Sequence, residues 1–111
     1  MSLLAAVAAV ALSTQQDLKP ADQADLQCFA VSVVAAGSSE DPVTQAGLSS
    51  GAMFYYGRLS GRTPDVKWLE VLVAYIKTEP LAELEANADR CGNEMMAVGR
   101  AFTGASSHLA D

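Results

Sequence analysis

Histidine occurs once in this 111-residue chain, cysteine twice, and lysine and arginine together only seven times. One His and two Cys cannot complete a four-ligand structural zinc site without carboxylates at unusual spacings, so no metal is expected. Against 13 acidic residues the basic ones leave a net charge of −6. The concentrated basic face that grips a nucleic-acid backbone is therefore missing, and no nucleic-acid partner is expected. No apolar run approaches the 18 or so residues of a spanning helix. Strand-period alternation, internal repeats and a glycine-rich loop after a strand are also lacking, which removes the usual cradles for nucleotide cofactors. No cofactor is expected.

Catalytic parts are equally scarce. His108 lies in a Ser-rich tail, whereas a general base needs a rigid, partly buried setting. Asp22, Asp25, Glu40, Asp41, Asp65 and Glu79 gather at expected helix starts, where the helix dipole accounts for them. An enzyme is the weaker class.

What the chain does have is apolar content, 50% of its residues, enough for one packed domain. Leu3 to Leu12 read LLAAVAAVAL, followed by small residues and then the polar stretch after Thr14. This run is too short to span a bilayer and suits the apolar region of a secretory signal. Only Met1 and Ser2 precede it, so its positive end rests on the terminal amine or on residues upstream. Residues 1–13 are read as a signal peptide and 14–111 as one helical domain with a polar lead-in and a frayed C-terminal tail. The alternative is an Ala-rich helix packed on the domain, since Ala is the best helix former. Export to the periplasm or beyond is the setting for one structural disulfide between Cys28 and Cys91. Closing a loop of this length is worth roughly 4 kcal/mol in the loop-entropy model. Two separate buried thiols are the other reading.

Four helices are expected. The first spans about Pro20 to Ala36, stopped by Gly37, with CFAVSVVAA its most buried part. The second opens at Asp41-Pro42 and runs to about Ser60 before Gly61, with Leu48, Ala52, Tyr55 and Leu59 as its stripe. Its glycines 47, 51, 57 and 61 point to close approach by another helix, or to a bend near Gly51. The third starts at Thr63-Pro64-Asp65 and runs to about Lys77. Its inner stripe is Val66, Leu69, Val73 and Ile76, with Trp68, Leu72 and Tyr75 on a second face. The fourth opens near Pro80 and carries one seam, Leu81, Leu84, Ala88, Cys91, Met95, Val98 and Phe102. The fold class is all-α, a single array of four helices with one interhelical disulfide.

One stretch draws a site hypothesis: FYYGRLSGRTPDVKW, Phe54 to Trp68. Arg58 and Arg62, four apart, form a small cationic spot suited to carboxylates or phosphates, with Tyr55, Tyr56 and Trp68 as candidate groove walls. The structural alternative is that the arginines serve the helix end and the aromatics the core. Arg58 fits the structural role better; Arg62, beyond Gly61, is the better candidate for a partner contact.

With Cys28 in an early helix, the Tyr-x-x-Gly-Arg-type helix and Cys91 in a late one, the chain resembles small disulfide-bonded periplasmic helical proteins. The GRLSGRTP and RCGNEM stretches resemble those of uncharacterised exported proteins of Gram-negative bacteria. Among characterised families the layout is similar to HdeA-type acid-stress chaperones, although the Gly-rich second helix and few lysines depart from them. That resemblance implies a protein that loosens at low pH and holds unfolded clients. Protonating all 13 acids leaves 7 basic residues and His108, a swing from −6 to +8 that loosens a fold or a homodimer by self-repulsion. A second resemblance, to small periplasmic immunity proteins, implies instead one partner enzyme blocked by a rigid patch.

Overall fold

The computed structural model describes residues 18–110. The segment read as a signal peptide lies outside them. Four α-helices follow one another: α1 (Pro20–Ser38), α2 (Pro42–Arg62), α3 (Trp68–Thr78) and α4 (Leu81–Ser107), with a short 3-10 turn at His108–Ala110. The all-α, four-helix domain is as expected from the sequence, and the Cys28–Cys91 disulfide joins α1 to α4 with Cα atoms 5.3 Å apart.

The central element is α1. Pro20 sits in its first turn, where the missing N–H costs nothing, and Asp22 follows where the helix dipole favours an acid. Leu26, Cys28, Phe29 and Ala30 are buried against the other three helices. α2 lies antiparallel to α1, as its cross-links show: Arg62 meets Asp22, Arg58 meets Asp25, and Gln45 meets the carbonyl of Ala36. α4 instead runs parallel to α1: Cys28 bonds Cys91, and one turn further along both helices Ser32 and Met95 meet the same Gly51.

Asp41 caps α2 as its sequence position suggests, its carboxylate accepting from the Thr44 backbone N–H at 3.0 Å and hydroxyl at 2.6 Å. α2 continues unbroken past Gly51 and includes Gly61, just as α1 includes Gly37. Neither glycine acts as a left-handed stop, because no described glycine has positive φ. The close-approach explanation for the glycines of α2 holds at one position only. A Cβ on Gly51 would stand 3.5 Å from Ser32 and 3.6 Å from Met95, whereas Gly47, Gly57 and Gly61 face open space.

Two expectations about faces reverse. The sequence Thr63-Pro64-Asp65 resembles a helix start, but α3 begins only at Trp68. Thr63 is committed elsewhere: its hydroxyl donates to Asp22 and its carbonyl accepts from the Trp68 indole N–H at 2.9 Å. That hydrogen bond plants Trp68 inward, so Trp68, Leu72 and Tyr75 form the buried face of α3. Leu69 and Val73, expected inside, are exposed. Along α4, Leu84 and Cys91 are buried and Met95 packs against the core. Leu81, Ala88 and Phe102, members of the same seam, are exposed, and so is every α4 residue after Val98. The helix nevertheless continues through Gly104 to Ser107, where the sequence reading places a frayed tail.

Candidate functional site

The cationic pair of α2 meets an anionic pair on α1. Asp22 and Asp25 are three apart and share a helix face, as do Arg58 and Arg62 at four apart. The antiparallel register sets the two faces against each other. Arg58 grips Asp25 with two donors, Nη2 to Oδ1 at 2.7 Å and Nε to Oδ2 at 3.1 Å, and reaches Glu94 of α4 at 3.3 Å. Arg62 spans both acids, donating to Asp22 Oδ1 at 2.6 Å and Asp25 Oδ2 at 2.9 Å. The Thr63 hydroxyl donates to the remaining Asp22 oxygen at 2.6 Å.

This cluster is internal. Asp22 is 1% and Asp25 2% exposed, and a buried carboxylate is stable only when paired and hydrogen-bonded. Burial opposes ionisation of Asp22, but the hydrogen bonds from Thr63 and Arg62 and the charges of Arg62 and Lys19 hold its carboxyl below the usual aspartate value. Burial likewise works against the charged form of Arg58, and Asp25 and Glu94 more than offset it, raising its pKa. The cluster sits where the N-terminus of α1 meets the C-terminus of α2, and Asp22 in the first turn of α1 and Arg62 in the last turn of α2 also complement the helix dipoles. Among the described residues every buried side-chain polar atom has a hydrogen-bond partner.

The aromatic half of the hypothesis divides. Tyr55 is fully buried, with its hydroxyl 3.3 Å from the Cys91 carbonyl beside the disulfide. Burial pushes that hydroxyl far above the ordinary tyrosine value, and Glu94 adds to the shift. Phe54 and Tyr55 meet edge to face, and the Arg58 guanidinium lies 5.0 Å from the Phe54 ring centre. Tyr56 points the other way. It lines an open groove of about 450 Å³ with Ser60, Pro64, Val66, Trp68 and Leu69. Arg58 and Arg62 are therefore separated from Tyr56 and Trp68, which share the groove, though Trp68 itself is buried.

Two features escape a sequence reading. Helix-dipole logic accounts for Asp22 and Asp25 singly and hides their partners, although the spacings i, i+3 on α1 and i, i+4 on α2 are compatible with one network. The exposed apolar strip of Leu69 and Val73, flanked by Glu70, Ala74 and Lys77, is the other. Among the described residues no group of three or more His, Cys, Asp or Glu could hold a metal ion, and no helix is long and apolar enough to cross a membrane. Comparison with protein-family models, curated proteins and solved structures returns no match to this chain.

Proposed function

We propose that this chain is a small protein-binding domain of an oxidising compartment, the periplasm or the exterior, with a chaperone-like holding role similar in kind to that of the HdeA-type proteins. The observation that carries the reading is the apolar strip of α3. Leu69 is 57% and Val73 50% exposed on a helix whose opposite face is locked into the core. Large apolar side chains held in the open suit a surface that meets other proteins. The disulfide fits an oxidising compartment. Acid acts on the same scaffold through Asp22: once protonated it no longer ties down Arg62, and the C-terminal end of α2 loosens from α1. The disulfide keeps α1 and α4 together, so loosening enlarges the apolar surface without dispersing the chain.

The test is suppression of aggregation, followed by light scattering of a partly unfolded client enzyme at pH 7 and pH 3. The wild-type protein is expected to suppress scattering more strongly at pH 3. The Leu69→Lys/Val73→Lys variant, which is charged at both pH values and leaves the core untouched, is expected to lose most of that effect. Equal scattering with and without the protein at both pH values refutes the holding role.

The groove beside Tyr56 favours a second reading, an immunity or inhibitor protein that presents one rigid patch to one enzyme. Affinity capture from periplasmic extract separates the two. A single stoichiometric partner at neutral pH supports the inhibitor, and many partners at acid pH alone support the chaperone.

A further inference from the structure

A small recess lies where the first half of α1 meets the C-terminus of α3. It holds about 160 Å³ and is lined by Leu18, Gln23, Leu26, Gln27, Tyr75 and Glu79. That is well short of the roughly 300–1,000 Å³ of a pocket for a drug-sized ligand, so its occupant is a group of a few heavy atoms. It shares no residue with the α3 strip or with the Tyr56 groove.

Two polar side chains at the recess have no partner. Tyr75 is 7% exposed, and no described residue hydrogen-bonds its hydroxyl. Every sealed side-chain polar atom among the described residues is paired, so this hydroxyl is not sealed and opens to the recess that Tyr75 lines. Glu79, half-buried just past the end of α3, makes no ion pair among the described residues. The glutamines are partly engaged: Gln23 Nε2 donates to the Leu18 carbonyl at 2.7 Å, and Gln27 Oε1 accepts from Arg90 at 2.9 Å. Gln23 keeps its side-chain oxygen. Leu26, 2% exposed, gives the recess an apolar floor. Burial raises the Tyr75 hydroxyl above the ordinary tyrosine value, Glu79 and Glu83 add to the rise, and Arg90 works against it. Two carboxylates thus surround the hydroxyl against one guanidinium, which is itself tied to Gln27 and Asn87.

We propose that this recess binds a primary ammonium group on a short alkyl stem, with the stem on Leu18 and Leu26 and the ammonium between the Tyr75 hydroxyl and the Glu79 carboxylate. An ammonium has three donors and no acceptor, which matches the hydroxyl, the carboxylate and the Gln23 oxygen. The negative surroundings exclude an anion. One lining carboxylate is too few for a calcium ion, which takes about six or more oxygen ligands. A free alkylamine and a lysine side chain of another protein both present this group.

Titration of the full chain with n-butylammonium at pH 7, followed by two-dimensional NMR, reads the binding. The expected result is saturable shifts at Gln23, Gln27 and Tyr75, with Kd on the order of 1–10 mM for a ligand of about five heavy atoms. Tyr75→Phe and Glu79→Gln, with circular dichroism unchanged, are each expected to weaken binding at least about fivefold. Glu70→Gln, exposed and outside the recess, is expected to leave it unchanged. Neutral n-butanol is expected not to saturate. Acetyl-lysine methylamide separates the sources: saturation by both compounds admits lysine side chains of proteins, and saturation by n-butylammonium alone restricts the recess to free amines. No saturable shift with n-butylammonium at about 100 mM, well above that Kd range, overturns the proposal. So does equal binding of n-butanol, or binding that Tyr75→Phe and Glu79→Gln leave unchanged.

Discussion

Replacing Arg62 by Ala separates a structural arginine from a surface one. The change removes hydrogen bonds of 2.6 Å to Asp22 and 2.9 Å to Asp25. Asp25 keeps the two donors of Arg58, but Asp22 keeps only the Thr63 hydroxyl. An exposed ion pair contributes under about 1 kcal/mol, and stripping one partner from a fully buried pair costs about 3–5 kcal/mol. The Arg62 side chain is 30% exposed while that of Asp22 is 1% exposed, so water screens one partner and not the other. The cost then falls between these limits, about 2–3 kcal/mol, or a drop of roughly 10–20 °C in melting temperature for a domain of this size. Thermal denaturation followed by far-ultraviolet circular dichroism measures it. Asp22→Asn in the Arg62→Ala background is expected to recover part of the loss, because a neutral amide is less costly to bury without a cation and still accepts from Thr63. A single variant that melts within about 3 °C of wild type, under 1 kcal/mol on the same scale, refutes the argument that Arg62 is committed inside the domain.

Acid stability follows from the same cluster. The folded-state pKa of Asp22 lies below its ordinary value of 3.8, so its contribution is complete above about pH 5 and is lost as pH falls through the folded value. A pH series of melting temperatures is expected to decline below pH 4, and less steeply for Asp22→Asn. Gly47→Ala and Gly57→Ala, which place a Cβ in open space on a regular helix, are each expected to raise stability by about 0.5–1 kcal/mol in denaturant titrations. On α3, Leu72→Ala is expected to cost about 2–5 kcal/mol, and Val73→Ala under about 0.5 kcal/mol; equal costs refute the assignment of faces. Thiol titration of unreduced, denatured protein is expected to find no reactive thiol, and reduction is expected to lower stability by roughly 4 kcal/mol, given the length of the closed loop.

Local chemistry and helical periodicity were enough to read the helices themselves from the sequence. Asp41-Pro42 opens a helix because the aspartate oxygen meets free N–H groups and proline has none to lose, and that cap stands in the structure. Two cysteines far apart in the sequence suggest one bridge or two separate thiols, and the approach of α1 to α4 makes the bridge. Periodicity shows that an apolar stripe exists but not which neighbour covers it. On α3 both faces are apolar, and the choice fell to the Trp68 indole bonding Thr63 across the preceding turn. On α4 the seam continues in sequence past the point where the rest of the domain covers it. The buried acids show the same division most sharply. Asp22 and Arg62 have a sufficient local explanation in the terminal turns of their helices, and Asp25 and Arg58 stand one turn further in. Only the antiparallel register of α1 and α2, a contact between residues 33 to 40 positions apart, turns four separate charges into one buried network.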